Sequence, residues 1–397
     1  MRNEMEINKK ANLGSIAIAL GLIMLFMGNG SALNLADNFL FFSIAIIIGV
    51  VRVLFNSFKL EIKDRYVTLF FVSMLILSLY GWLISPYADP GTAKTMIMYS
   101  VLFLVELGTP QAESDLKIIE YGTILASSIF SILVLFFGNY YLSVGTGKYT
   151  YIQNFGNRVI FEPNYLALFI SLGFELAIVR IVDLISEKRR LEATLLGASA
   201  ILQLVAMLRT GSRMTLVGIA FFCITYILFM KNQSLKRKIL LIAVIMIVLL
   251  YIAIRIGILP ETMVNRMFYS SYVDNSNLKR IFDWYNGLKV MLTNPIGYGP
   301  SLTTSIIQQL TGNHVDAHNT FITFGVYYGI IGFIGFIVLW IRTMKKLLGI
   351  SEYGYYAMLI SMIFQANILA AQCSITIWIF FLLCCLKIST GSRNAYK

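Results

Sequence analysis

Residues 66–85 read Tyr-Val-Thr-Leu-Phe-Phe-Val-Ser-Met-Leu-Ile-Leu-Ser-Leu-Tyr-Gly-Trp-Leu-Ile-Ser, an uncharged run bounded by Lys63-Asp64-Arg65 on one side and Pro86 on the other. A helix rises about 1.5 Å per residue, so about twenty such residues cross a hydrocarbon layer of roughly 30 Å. The run is therefore read as a membrane span. Working outward with the same window gives about twelve candidates, at 13–33, 38–58, 66–85, 93–108, 119–138, 163–184, 192–208, 213–230, 239–257, 318–342, 354–370 and 372–388. Composition agrees: 58% of the 397 residues are hydrophobic, 13% are charged and the mean hydropathy is +0.75. Water-soluble domains carry about a quarter charged residues. The expected fold is all-α, a polytopic transmembrane helical bundle of about twelve spans, with residues 1–397 forming a single integral membrane domain.

The net charge of +12 would suggest nucleic acid in a soluble protein, but here the basic residues sit in short clusters between apolar runs. Clusters of that kind orient a chain in a bilayer. Nucleic acid is not an expected partner; membrane lipid is. Lys59, Lys63 and Arg65, then Lys188 to Arg190, Lys231 to Lys238, Arg342 to Lys346, and Lys387 to Lys397 all fall on alternate connections, with Arg2, Lys9 and Lys10 on the same face. The positive-inside rule makes that face, and both termini, cytoplasmic. The first apolar run lacks a small-residue cleavage site and is read as an uncleaved insertion signal. Cys223, Cys373, Cys384 and Cys385 lie inside apolar segments without a CxxC pair, which implies neither a zinc site nor a disulfide framework.

The outer face receives two long connections, 139–162 and 258–317. In the second, Leu278, Ile281, Phe282, Tyr285, Leu288, Met291 and Leu292 recur at helical spacing, with Lys279, Arg280, Asp283 and Lys289 on other faces. The helix stops at Asn294-Pro295 because proline cannot continue it. A turn with Gly297, Gly299 and Pro300 follows, and then a short helix opening at Ser301. Such a segment lays an amphipathic cover on the outer membrane surface and encloses a substrate, so 258–317 is the expected lid of an active site.

The sequence holds two histidines, His314 and His318, both where the large loop meets the tenth span. His318, within Asp316-Ala317-His318-Asn319, sits at the first turn of a membrane helix, where the dipole disfavours the imidazolium and leaves a ring able to accept a proton. The plain alternative is an interfacial histidine near a cap. Four-residue spacing would place His314 and His318 on one helical face, as in zinc motifs, but no third outer ligand is evident and no metal is expected. Arg209 and Arg213 flank Thr210-Gly211-Ser212 in a very short outer turn, and Arg158, Arg266 and Arg280 lie in the two long loops. Cations at a membrane edge can simply snorkel to headgroups. A guanidinium opening an apolar helix, as at Arg213, instead suggests an anionic partner, because its donors match phosphate oxygens in pairs. Lys94, at the outer start of the fourth span, is a candidate to join it.

Other patterns fail. Gly145-Thr146-Gly147-Lys148 lacks the flanking residues of a nucleotide-binding loop, and Gly297-Tyr298-Gly299 has no strand before it. Glu106, Glu175, Arg180 and Asp183 read as interfacial or paired charges, and Gly325, Gly329, Gly332 and Gly335 as a close-packing face.

His318-Asn319 followed, nine residues on, by Gly329-Ile330-Ile331-Gly332 resembles the signature ending the large outer loop of the O-antigen ligase and polymerase family of bacterial envelope enzymes. Arg280-Ile281-Phe282-Asp283-Trp284, Asn294-Pro295-Ile296-Gly297-Tyr298-Gly299, Thr210-Gly211-Ser212-Arg213, and Arg158 with Glu162-Pro163-Asn164 are similar to its other elements, in order over residues 158–332. The resemblance implies a GT-C-like bundle and a glycosyltransferase that needs neither cofactor nor metal. Its implied location is the bacterial cytoplasmic (inner) membrane, with the active site outside. Donor and acceptor would be oligosaccharides on undecaprenyl pyrophosphate, and the implied protein partners are a flippase and a chain-length regulator. His318 would be the catalytic base; Arg213, Arg158, Arg280, Arg209, Lys94 and Arg266 would hold pyrophosphate, with His314, Asp316 and Asn319 in support. Phe169, Asn277 and Met291 stand where the glycines of some polymerases' arginine–glycine loop repeats would follow Arg158, Arg266 and Arg280. The preferred reading is a polymerase of repeat units for O-antigen, capsule or exopolysaccharide. The alternatives are a ligase that moves a finished chain to a lipid core and a secondary transporter or flippase, which should show related halves.

Overall fold

The computed structural model describes residues 13–27, 39–55, 64–87, 89–109, 113–141, 148–155, 157–160, 162–230 and 276–394, together with Lys236 and Arg255. The span expected at 239–257, Arg266 and the first part of the long outer loop lie outside the described residues, apart from Arg255. In chain order the helices are α1 (Leu13–Ile23, continued by a 3-10 turn Met24–Met27), α2 (Phe39–Phe55), α3 (Arg65–Ile84), α4 (Pro90–Gly108) and α5 (Glu113–Phe137). Three strands follow, β1 (Gly138–Tyr141), β2 (Lys148–Phe155) and β3 (Asn157–Ile160). Then come α6 (Pro163–Ser186), α7 (Arg190–Thr210), α8 (Arg213–Phe229), α9 (Ser276–Thr293), α10 (Thr303–Thr311), α11 (Thr320–Gly349), α12 (Tyr353–Ala366) and α13 (Ile375–Asn394).

Every window expected to span, except 239–257, overlaps a described helix. Among the described residues α3, α5, α7 and α11 are long and apolar enough to cross a membrane, and four shorter apolar helices accompany them. The helix starts follow their caps. Asp64 accepts from the Tyr66 and Val67 amides at 3.0 and 3.4 Å, and Asp89 accepts from Thr92 N at 2.7 Å just before Pro90. The all-helical expectation needs one correction. The 139–162 connection is a three-stranded antiparallel sheet in the order β1-β2-β3, with Tyr140 opposite Tyr149 and Asn154 opposite Arg158. The tyrosines, threonine and branched residues there favour a pleated strand.

The chain divides into two compact units. The first holds residues up to Ala126, Ser276–Ile350 and Ala366 onward; the second holds Ser127–Asn275 and Ser351–Gln365. The core of the first is aromatic, with ring centroids 4.1 Å apart for Phe71 and Phe103, 4.4 Å for Phe324 and Phe336, and 4.5 Å for Trp340 and Phe381. At the end bearing the basic cluster, Asp64 receives Lys346 and, at 3.3 Å, Arg342, whose guanidinium also lies 5.1 Å from the Tyr66 ring centre. Burial alone would push Asp64 up, yet the Lys346 ammonium, with Arg342, holds it below the ordinary carboxylate range.

A break in α11 sets the opposite end. Gly329 has φ 68° and ψ −170°, a conformation that only glycine adopts readily. The carbonyls freed by the break are taken by the strap that follows α9. Tyr298 N donates to Val326 O at 3.0 Å, Gly299 N to Tyr327 O at 2.9 Å, and Ile330 N returns a bond to Pro295 O at 3.2 Å. A Cβ on Gly329 would sit 1.8 Å from Pro295 O. So Gly329 of the Gly-x-x-Gly pair is where the Asn-Pro-Ile-Gly-Tyr-Gly strap docks. Gly299 in turn rests on Gly81 of α3, where an added Cβ would meet the Gly81 Cα at 2.6 Å. Irregular backbone survives at membrane depth only where protein satisfies its polar groups, and this strap does so.

In the second unit residues 187–189 join α6 to α7, and polar contacts tie α7 to the second half of α5 and α6 to α12. Gln203 donates to Ser127 Oγ at 2.7 Å and Ser128 Oγ at 3.1 Å, while Gly173 leaves the room that Ser127 fills. Ser361 donates to the buried Glu175 at 2.6 Å.

Candidate functional site

Helix α9 carries large apolar side chains on its exposed side and a carboxylate on its buried side. Ile281, Tyr285 and Leu292 are exposed, whereas Asp283, Asn286, Val290 and Met291 are buried. Positions 283, 286 and 290 share one helical face. Gly287 on that side lets the helix approach residues 317 and 322 so closely that a Cβ would meet Ile322 at 2.6 Å and Ala317 at 3.1 Å. Val290, Met291, Ile306, Ile307, Ala317, Ile322 and Val326 then form one cluster beneath α9 and α10. That packing fixes the neighbour of Ala317, which is His318.

His318 Nε2 lies 3.9 Å from Asp283 Oδ2; the ring is 44% exposed and the carboxylate is fully buried. Among the described residues neither Asp283 oxygen has a hydrogen-bond partner. Burial pushes the Asp283 carboxyl upward, against the pull of His318, Lys279 and Arg280 and with a further push from Asp316. Asp316 is likewise raised by burial and opposed by His318. His318 has φ 44°, in the left-handed region. A side chain held there costs about 1–3 kcal/mol and persists only where the surroundings impose it. Those surroundings are visible: Ala317 is buried on one side, and Asn319 on the other caps α11, accepting from Phe321 N at 2.9 Å and Ile322 N at 3.1 Å. Asn319 Nδ2 also donates to the Asn367 carbonyl at 3.1 Å and to its side-chain oxygen at 3.2 Å.

The other expected site residues fall as follows. Arg280 is half-buried, one turn before Asp283 in reach of its charge, and so belongs to the same cluster as His318. His314 lies in the loop before α11, its Nδ1 2.7 Å from Gln308 Oε1, so the four-residue spacing to His318 does not set the rings on one helical face. Lys94 is exposed, one turn past the Asp89 cap, and the Asp89 amide bonds to Pro300 O of the strap at 3.3 Å. Among the described residues no three His, Cys, Asp or Glu side chains are grouped to hold a metal ion.

In the second unit the two short elements that resembled family motifs interlock. Ser212 Oγ donates to Asn164 Oδ1 at 3.2 Å, and Asn164 Nδ2 donates to Glu162 Oε1 at 2.7 Å, Glu162 being the cap of α6. Gly211, with φ 67°, closes α7 and turns the chain into Arg213, the half-buried first residue of α8. Arg209 donates to Leu135 O, which ties one of its nitrogens to the end of α5. Arg158 is in β3. Arg266 lies outside the described residues.

Residues 198–337 match the family model described as O-antigen ligase. Over those 140 of the 397 residues the chain is similar to that family. The match takes in Arg209, Arg213, Arg280, Asp283, His318 and both glycines of the Gly329-to-Gly332 signature, and stops short of Arg158 and Lys94 on the amino-terminal side. No curated protein matches the chain.

Sequence reasoning missed Asp283 as a member of the site. Its position on the polar side of α9 was legible; that this side faces inward was not, because a helix lying at a membrane surface can turn its apolar stripe outward. The glycine at 287, three residues before Val290, was the available signal.

Proposed function

We propose that the protein is a polymerase that joins lipid-linked polysaccharide repeat units at the outer face of the cytoplasmic membrane. It would be a GT-C-like bundle of about twelve spans with both termini inside and residues 258–317 as the cover of the site. The observation that carries this reading is His318: a half-exposed imidazole on a strained backbone at the mouth of α11, beside a buried carboxylate, within the stretch that matches the family.

In the proposed reaction His318 takes the proton of an acceptor sugar hydroxyl as its oxygen bonds the anomeric carbon of the donor. The bond from that carbon to the undecaprenyl pyrophosphate breaks, and its electron pair leaves with the phosphate. Direct displacement inverts the carbon. General-base help of this kind contributes about 100-fold to 10,000-fold. A leaving pyrophosphate needs fixed positive charge, and the candidates to supply it are Arg213, Arg158, Arg280, Arg209, Lys94 and Arg266; no metal or cofactor is invoked. The pyrophosphate linkage carries the driving force, so no nucleotide is required outside the cell. A flippase would deliver the donor, and a chain-length regulator would act on the product.

Similarity to an O-antigen ligase family favours a second reading, a ligase transferring a finished chain to a lipid core. Purified protein supplied with undecaprenyl-pyrophosphate oligosaccharides separates the two. Chain extension supports the polymerase, transfer to lipid core alone supports the ligase, and movement of the lipid across the bilayer without a new glycosidic bond would sink both.

A further inference from the structure

Asp283 is an acidic side chain on the inward face of a lid helix, and its burial has no structural explanation in hydrogen bonding. Among the described residues neither of its oxygens has a hydrogen-bond partner, although such groups are ordinarily bonded when buried. Its nearest ionisable contact is the His318 ring at 3.9 Å, and the Gly287 close approach is what brings α9 within that distance of residue 318. The charged groups around the pair are Asp316 on the loop before α11 and Lys279 and Arg280 on the preceding turn of α9.

We propose that Asp283 is a positioning residue for His318: it holds the imidazole on the acceptor side of the site and stabilises the imidazolium that forms when the ring takes a proton. This rests on the reading of His318 as the base. The carboxylate keeps no proton itself; the proton taken from the acceptor hydroxyl stays on the ring until solvent removes it. A carboxylate that orients and electrostatically supports an imidazole is a recurring solution in general-base sites. Here one group stands on α9 and the other in the loop just before α11, 35 residues apart in sequence. The upward push that burial gives Asp283 is opposed by His318 first and by Lys279 and Arg280 after it, while Asp316, itself raised by burial, lies close enough to interact with the same ring.

The test uses the two-histidine content of the chain. In a His314→Gln background His318 is the one histidine left, so carbethoxylation by diethyl pyrocarbonate, followed against pH on the purified full-length protein, reports its protonation without any substrate. With Asp283→Asn the midpoint should fall by about one pH unit, a tenfold loss of proton affinity equivalent to about 1.4 kcal/mol. Asp283→Glu, which keeps the charge, should leave it near that of the parent. Asp283→Ala serves as the neutral variant should Asp283→Asn not purify as a monodisperse protein. A midpoint that does not move in the neutral variant overturns the proposal. The parallel activity measurement keeps the two ideas apart. If His318→Ala still extends lipid-linked chains, the base reading fails whatever the titration shows. If His318→Ala is inactive while the midpoint ignores residue 283, the base reading stands and the pairing fails.

Discussion

Replacing Gly329 by alanine tests the geometry that delivers the lid to the helix mouth. The native conformation, φ 68° and ψ −170°, lies where a residue with a Cβ is strained by about 1–3 kcal/mol. The strain is not the whole cost, because the new Cβ would stand 1.8 Å from Pro295 O and the strap must retreat. Three backbone bonds hold that strap to the break, Tyr298 N to Val326 O, Gly299 N to Tyr327 O and Ile330 N to Pro295 O. Each is worth about 0.5–1.5 kcal/mol net. Losing the strap as a unit therefore costs roughly 3–6 kcal/mol. At about 2–4 °C per kcal/mol, the thermal midpoint should drop by roughly 6–24 °C. The assay is recovery of the monodisperse peak on size exclusion after heating detergent-solubilised protein. Gly349→Ala is the control, since nothing lies within 4 Å of its added Cβ and its φ is not positive. A Gly329→Ala midpoint equal to that of Gly349→Ala would show that the strap does not hold the break.

Further outcomes follow from individual contacts. His318→Ala should reduce chain extension by about 100-fold to 10,000-fold with the protein still inserted and monodisperse; extension within a few-fold of normal counts against its role as base. Asn319→Ala should lower stability by about 1 kcal/mol through loss of the α11 cap, and Asn319→Asp by less, because it keeps the cap while giving up the donor to Asn367; equal losses would assign the effect to Asn367. Asp64 is held below the ordinary carboxylate range, so its contribution is present above the unfolded value and vanishes as pH falls through the folded one. Asp64→Asn should therefore lower stability near pH 7, by about 1 kcal/mol or less given the partial exposure, and the gap should close as pH falls through the folded value. A gap that is constant with pH would mean the ion pairs with Lys346 and Arg342 contribute nothing.

Much of this was written in local order. Uncharged runs of about twenty residues fix membrane spans because unpaired backbone is too costly in hydrocarbon, and the windows read from them overlap the described helices. The stop at Asn294-Pro295, the short helix after the glycine turn and the cap before α11 were likewise set by neighbours in sequence. The sheet of 138–160 was not foreseen, since short strands in an outer loop give a far weaker signal than a span. Gly325, Gly329, Gly332 and Gly335 read as one packing stripe, yet Gly329 breaks its helix because a strap from elsewhere in the chain supplies the hydrogen bonds that a helix would otherwise make for itself.

The sequence by itself determined a membrane chain, its helix limits and the family motifs around His318, all of which depend on hydropathy, caps and spacing. Only the tertiary structure decided that α9 turns its carboxylate inward and that Asp283 stands next to His318. No local rule couples residues 35 apart; the close approach at Gly287 does, because it lets two backbones come nearer than any side chain would allow.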